Sequence, residues 1–136
     1  IAGVKEASGD IEQMKEVIAR RPVDFTVLSG DDSMTLQLIH AGGDGVISVA
    51  SNIIPEKVGE IVEYALIDNM QEAGKLNEHF SRLFKDIFVE TNPVPVKYCV
   101  HKIGLCELVY RLPMCEPSEK AKGILDETLR SYGLID

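Results

Sequence analysis

The sequence predicts an α/β fold in which parallel strand–helix units are followed by a wholly helical segment. Three short apolar runs, at residues 1–5, 25–29 and 46–49, are each followed by a helical pattern. Apolar strands that alternate with helices are typical of parallel sheets covered on both faces. No strand pattern follows the third unit. We therefore divide the chain into three βα units, residues 1–68, and three helices, residues 69–136.

The first unit opens with a predicted buried strand over residues 1–5. Asp10 follows in the position of a helix N-cap, with Gln13 as its reciprocal partner. Apolar residues then recur at helical spacing, namely Ile11, Met14, Val17 and Ile18. Arg21-Pro22 ends this helix, because proline does not continue a helical hydrogen-bond ladder.

The second unit has a strand at residues 25–29, FTVLS, which is rich in β-branched and apolar residues. Asp31 and Asp32 are suited to cap the helix that follows. The apolar residues of that helix are Met34, Leu36, Leu38 and Ile39. GGDG at residues 42–45 then ends the helix, since glycine is favoured directly after a helix C-terminus.

The third strand is expected at residues 46–49, VISV, and Pro55 starts the helix after it. The preceding GGDG is not a phosphate-binding loop, because it precedes a strand and lacks the Lys-Ser/Thr pair of such loops. In the helical segment we expect one long amphipathic helix over residues 69–88, a second over 93–103 and a third over 118–132.

Three βα units leave open strand edges on both sides. A doubly wound sheet and an eight-stranded barrel are both built from such units, and the pattern alone does not decide between them. The chain starts within a strand, without Met and without a signal segment. We therefore expect it to be the back part of a larger enzyme.

Composition argues against several classes of function. The 136 residues carry a net charge of −8, which disfavours a nucleic-acid partner. No apolar run reaches the roughly 18 residues of a membrane span. The cysteines, Cys99, Cys106 and Cys115, and the nearby His101 lack the paired spacing of a zinc site. We therefore expect reduced thiols, a cytoplasmic protein and no metal.

Lys5 lies at the carboxyl end of the first strand, where βα proteins gather their functional residues. A desolvated amine gives up its charge more readily, and the neutral amine is a nucleophile that forms a Schiff base with a carbonyl substrate. The alternative is a structural lysine that reaches water or pairs with a carboxylate such as Glu6. Position alone favours the structural interpretation.

Ser29-Gly30-Asp31-Asp32 follows the second strand in the same way. Gly30 would let a ligand approach the backbone closely. The two acids are able to bind a substrate amine, act as acid or base, or hold a metal. A turn followed by an N-cap explains the same residues without a ligand.

Several motifs, in this order, resemble one family. GVKEASGD (residues 3–10), LSGDD (28–32), GGDGVISVASN (42–52) and NPVPVK (92–97) are similar to those of the 4-hydroxy-tetrahydrodipicolinate synthases, formerly called dihydrodipicolinate synthases. RLPM at 111–114 extends the likeness. The related N-acetylneuraminate lyases share the Schiff-base lysine and the barrel, but KEASGD and NPVPVK favour the dipicolinate branch.

The resemblance implies a (β/α)8 TIM barrel, of which this chain would hold the last three βα units and the C-terminal three-helix domain. It implies that Lys5 is the Schiff-base lysine on the sixth strand and that the Ile47 carbonyl lies beside bound pyruvate. Gly30, Asp31 and Asn92 would lie near the pocket of the aldehyde substrate.

The implied reaction condenses pyruvate with aspartate semialdehyde in lysine and diaminopimelate biosynthesis, and it needs no dissociable cofactor. Full-length relatives are expected to be homodimers or homotetramers. The family's proton-relay and carboxylate-binding residues lie in the front of the barrel, so we expect this chain alone to be inactive. The chain has four tyrosines, Tyr64, Tyr98, Tyr110 and Tyr132. None of them matches a relay position of the family.

Two other functions stay open at this point. Another pyruvate-dependent class I aldolase or lyase, acting on a sugar acid, would use the same lysine on the same barrel. A non-catalytic half-barrel that assembles with itself or with another chain would use the open strand edges.

Overall fold

The computed structural model describes all 136 residues, which divide into two compact units, Ile1–His79 and Phe80–Asp136. The first unit holds the strands together with helices, and the second unit is entirely helical. None of the helices combines the length and the apolar character that crossing a bilayer requires.

A parallel three-stranded sheet lies at the centre of the first unit. Its strands are β1 (Gly3–Glu6), β2 (Thr26–Ser29) and β3 (Gly45–Val46). They lie in the order β1-β2-β3, and Lys5 is in register with Leu28. The predicted parallel α/β arrangement is confirmed, and β1 and β3 each leave one edge unpaired.

Sequence signals predict several ends of the four helices of the first unit. These helices are α1 (Ile11–Arg20), α2 (Thr35–His40), α3 (Pro55–Leu66) and α4 (Met70–His79). Asp10 caps α1 by accepting from the Glu12 amide at 2.9 Å, and Pro55 occupies the first turn of α3. Gly42, with a φ of 100°, ends α2, as expected of a glycine after a helix C-terminus.

Two apolar clusters hold the first unit together. Met14 of α1, Val27 of β2 and Leu38 of α2 are fully buried against one face of the sheet. A second cluster joins α2, α3 and α4 and is formed by Ile39, Ala65 and Ala73. These contacts explain why α4 belongs to the first compact unit, whereas the sequence pattern places the domain boundary after residue 68.

The second unit consists of three helices around its own core. They are α5 (Ser81–Asp86), α6 (Val94–Lys102) and α7 (Glu119–Ser131). Side chains from all three are fully buried, among them Leu83, Cys99, Leu125 and Leu129. The Thr128 hydroxyl of α7 donates to Asp86 Oδ2 at 2.5 Å and joins α7 to α5.

The single helix expected over residues 69–88 is wrong, because α4 ends at His79 and α5 begins at Ser81. Phe80 lies between them with a ψ of 6°, outside the helical range, and its ring packs 5.2 Å from that of Tyr132. The apolar spacing continues unbroken through this bend, so periodicity alone does not reveal it.

Two strand expectations also need correction. The predicted strand over residues 1–5 is not buried, since Val4 and Lys5 are exposed on an edge strand with a single neighbour. The strand expected over residues 46–49 ends at Val46. The Ile47 amide makes one more bond to β2, and the chain then leaves the sheet because the residues from Ser48 to Ala50 bond to Asp32 instead of to a strand.

Candidate active site

Lys5 lies one residue before the end of β1, and its side chain is exposed. Its amine has no hydrogen bond or ion pair within the chain. A structural role for Lys5 predicted an ion pair with Glu6, and this ion pair is absent. Glu6 Oε1 instead accepts from the Ser8 amide at 3.1 Å and from Gln13 Nε2 at 3.0 Å. The structure therefore presents Lys5 as an unpaired primary amine.

Glu6 has a different environment, although it is the next residue along the strand. Successive strand residues point to opposite faces of a sheet, and Glu6 is only 6% exposed. Its bonds tie the turn after β1 to Gln13 of α1, so Gln13 is not the reciprocal partner expected for Asp10. The Asp10 amide donates to the Ser8 hydroxyl instead. The other carboxylate oxygen, Oε2, is buried without a partner.

Gly30 brings the end of β2 against Lys5. Its amide donates to the Glu6 carbonyl at 2.6 Å. A Cβ at this position would lie 2.4 Å from Ala7 Cβ and 2.9 Å from Lys5 Cε, so any larger residue would displace the segment that carries the amine. The close approach that the sequence analysis expected of a ligand is thus made by the chain's own lysine side chain.

The two acids after Gly30 have separate roles. Asp31 caps the 3-10 turn Asp32–Met34, and its Oδ1 accepts from the amide and the hydroxyl of Ser33, each at 2.8 Å. Asp31 therefore caps the turn that leads into α2, whereas the N-cap position of α2 itself is Met34, which makes no side-chain capping bond. Asp32 is wrong as a cap of its own helix, because its carboxylate bonds to the segment that follows β3.

Ile47 stands directly after β3. Its amide donates to the Ser29 carbonyl at 2.8 Å and so extends the strand pairing by one bond. Its carbonyl accepts no hydrogen bond from the chain, and its side chain is 46% exposed. The carbonyl that the resemblance places beside pyruvate is therefore available to a ligand.

Asn92 belongs to the second unit, where it is exposed just before α6. It does not cap that helix, since Pro93 is the N-cap residue and the Val94 amide donates to the Thr91 carbonyl at 3.1 Å. Asn92 lines a cavity of about 450 Å³ together with Glu90, Thr91, Val94, Pro113, Met114, Cys115 and Glu116.

Within the first unit, Lys5, Gly30, Asp31 and Ile47 gather at the carboxyl ends of neighbouring parallel strands. The site offers an unpaired amine, that of Lys5, which is suited to add to a carbonyl compound. It also offers the free backbone carbonyl of Ile47, which is suited to orient that compound. The sequence pattern singled out Asp32 as a helix cap or a ligand-binding acid, but it did not indicate the contacts of Asp32 with the loop after β3. Asp32 is only 3% exposed. No local signal reveals these contacts, because they join residues 16 to 18 positions apart.

The profile of the dihydrodipicolinate synthetase family matches residues 1–132. The curated 4-hydroxy-tetrahydrodipicolinate synthase of Pelodictyon phaeoclathratiforme is 44% identical over 135 residues, which are 99% of this chain and 46% of that relative. The chain thus spans about half the length of the curated relatives it matches.

Solved structures agree with the fold over nearly the whole chain. Dihydrodipicolinate synthase from Aquifex aeolicus superposes with a TM-score of 0.96 at 40% identity, over 98% of this chain and 46% of that one. The chloride-inhibited enzyme from Acinetobacter baumannii, complexed with pyruvate, gives a TM-score of 0.94 at 36% identity. The match covers 99% of this chain and 46% of that one. The chain belongs to the dihydrodipicolinate synthetase family.

Proposed function

We propose that this chain supplies the nucleophilic lysine and part of the substrate pocket of a 4-hydroxy-tetrahydrodipicolinate synthase. Such an enzyme condenses pyruvate with aspartate semialdehyde. The observation that carries the proposal is the placement of Lys5, an unpaired amine at a strand's carboxyl end, packed on Gly30, within a chain of this family.

In the proposed reaction the Lys5 amine attacks the ketone carbon of pyruvate, and loss of water gives an iminium. A proton leaves the adjacent methyl group, which yields an enamine. The iminium nitrogen accepts the electron pair and so replaces a free carbanion with a much less costly intermediate.

The enamine carbon then attacks the aldehyde carbon of aspartate semialdehyde, and the aldehyde oxygen takes up a proton. The α-amine of the second substrate attacks the iminium carbon and forms the ring. The bond between the former iminium carbon and Lys5 Nζ breaks in this step. The lysine amine is thereby released, and the enzyme returns to its starting state.

Backbone groups and polar side chains of the chain take part in the proposed pocket. The free Ile47 carbonyl would contact the bound keto acid. Gly30 and Asp31 would lie near the aldehyde substrate. Asp31 keeps one carboxylate oxygen free of hydrogen bonds to the chain, because both of its Ser33 contacts fall on Oδ1.

The rest of the site would come from strands that this chain does not contain. β1 and β3 each have one unpaired edge, and open edges of parallel strands are rare outside a larger sheet or barrel. We infer that the chain forms the last three βα units of a TIM barrel, with β1 as its sixth strand, and that the complete enzyme is a homo-oligomer.

The test is borohydride trapping with pyruvate, read by intact mass and peptide mapping. It uses the chain alone and a completed protein, in which the N-terminal portion of the Pelodictyon phaeoclathratiforme synthase precedes this chain. We expect the completed protein to carry a carboxyethyl group on Lys5 after reduction. The chain alone is expected to remain unmodified, because it lacks the front of the pocket.

Lys5→Arg and Lys15→Arg are the matched variants. Lys15 is an exposed lysine on α1 that pairs with Glu12, so its replacement leaves the site untouched. We expect Lys5→Arg to abolish trapping and Lys15→Arg to preserve it. A completed protein that melts cooperatively but gains no adduct on Lys5 would overturn the Schiff-base proposal.

A further inference from the structure

Asp32 is the most heavily bonded acid of the first unit, and the reaction proposed above does not use it. Its carboxylate is 3% exposed and has no cationic partner. Oδ2 accepts from the amides of Val49 at 3.0 Å and Ala50 at 3.1 Å, and Oδ1 accepts from the Ser48 hydroxyl. A buried carboxylate without a cation depends on such donors for its solvation.

These bonds supply what the local sequence lacks. The 3-10 turn Ala50–Asn52 begins after Val49, whose side chain has no polar atom to cap the turn. Asp32 provides the missing acceptor from a different loop, the one that follows β2. Asp32 thus ties the loop after β3 to the loop after β2.

Ser48 strengthens the same connection. Its hydroxyl donates its only proton to Asp32 and accepts from the Ser51 amide at 2.8 Å. The segment from Ser48 to Ala50 is therefore fixed at three successive residues by one carboxylate.

Ile47 lies between two fixed points as a result. Its amide is bonded to the Ser29 carbonyl of β2, and the next residue, Ser48, is bonded to Asp32. The Ile47 carbonyl belongs to the peptide unit that joins these two anchors. Its direction is set by both of them, since the peptide unit is planar and rigid.

We propose that Asp32 is a positioning residue that aims the Ile47 carbonyl at the keto-acid substrate. This inference rests on the proposed function, because it takes the Ile47 carbonyl to be a contact of pyruvate. Asp32 touches neither substrate nor Lys5 in this role and acts only through the backbone of the loop after β3.

The experiment measures the pyruvate concentration that gives half-maximal trapping on Lys5, together with the KM for each substrate, in the completed protein. Asp32→Ala removes all three acceptor contacts, whereas Asp32→Asn keeps the shape and one acceptor oxygen. Asp24→Asn is the matched control, because Asp24 is an exposed acid without hydrogen bonds or ion pairs.

We expect Asp32→Ala to raise the half-saturating pyruvate concentration by about tenfold or more. The Ile47 carbonyl would then point away from pyruvate and would no longer help to orient it. Asp32→Asn is expected to recover part of this loss, and Asp24→Asn to match the unsubstituted protein. The KM for aspartate semialdehyde should change much less, because Gly30 and Asp31 keep their own bonds to Glu6 and Ser33. If Asp32 only stabilised the fold, its substitution would lower the melting temperature and would not affect the KM for pyruvate more than the KM for aspartate semialdehyde.

Ser48→Ala is the second variant if Asp32→Ala does not fold, since it removes one anchor and leaves the carboxylate bonded to both amides. It is expected to raise the half-saturating pyruvate concentration less than Asp32→Ala. An unchanged value in every folded variant overturns the role of Asp32. Absence of trapping in the unsubstituted completed protein overturns the proposed function itself, so the two failures are distinguishable.

Discussion

Gly30 packs directly against Lys5. A Cβ atom at position 30 would lie only 2.9 Å from Lys5 Cε and 2.4 Å from Ala7 Cβ. The glycine is bonded through its amide to the Glu6 carbonyl, so it has little freedom to move away. The end of β2 therefore sets the space available to the amine on β1.

We expect Gly30→Ala to displace the Lys5 side chain. Overpacking of this kind costs about 1–3 kcal/mol of stability. Trapping of pyruvate on Lys5 in the completed protein should fall by about tenfold or more, because a shift of the nucleophile disturbs its approach to the ketone.

Gly74→Ala is the control for this substitution. Gly74 lies within α4, and apart from its chain neighbours and the nearby backbone of its own helix no atom lies within 4 Å of its Cβ position. Alanine is expected there to raise stability by about 0.5–1 kcal/mol, as it does in helix interiors, with trapping unchanged. Equal trapping in Gly30→Ala and Gly74→Ala would contradict the packing relationship.

Asp44 is expected to make stability depend on acid pH. Burial acts to raise the pKa of its carboxyl, but the hydrogen bond from the Val27 amide and the bond and charge of Arg21 outweigh burial, so the pKa lies below its ordinary value of 3.8. A lowered folded-state pKa gives stability that is complete above the ordinary pKa and is lost as the pH falls through the folded-state pKa.

Asp44→Asn removes this charge and keeps the shape of the side chain. We expect a loss of about 1 kcal/mol at neutral pH, the difference between a charged and a neutral hydrogen bond. In urea unfolding at a series of pH values, the gap to the unsubstituted chain should close below about pH 4, where the carboxyl protonates. A gap that stays constant down to acid pH would refute the linkage.

The cysteines are expected to differ in reactivity. Cys99 is fully buried, and burial, with a further contribution from the charge of Asp126, raises the pKa of its thiol to about 12. Cys115 is exposed. Because the thiolate is the reactive form, native labelling with iodoacetamide should modify Cys115 and spare Cys99 until urea unfolds the chain. Early modification of Cys99, located by peptide mapping, would show that the core of the second unit opens readily.

Tyr98 joins α6 to α7 through its hydroxyl, which donates to Asp126 Oδ1 at 3.0 Å. Burial and this hydrogen bond raise the pKa of the phenol to about 12, so the bond persists through neutral pH. Tyr98→Phe is expected to cost about 1 kcal/mol, since Asp126 keeps its contact with Lys102. Tyr64→Phe is the comparison in chemical denaturation, because the Tyr64 hydroxyl has no hydrogen bond, and it should change stability little.

The sequence by itself determined the parallel strand–helix order, most helix ends and the position of Lys5. These features depend on signals within a few residues, such as apolar spacing, the Asp10 cap, Pro55 in a first turn and glycine after a helix. Motifs in the right order added the family resemblance, which the family match over residues 1–132 confirmed.

Only the tertiary structure decided how the strand ends are arranged into a site. Asp32 reaches residues 16 to 18 positions away, and Gly30 meets Lys5 only because β1 and β2 are neighbours. The bend at Phe80 is likewise invisible in a pattern that continues through it. Periodicity reports which face of an element is buried, whereas a contact between loops depends on how separate elements pack, and that information does not reside in any short stretch of the chain.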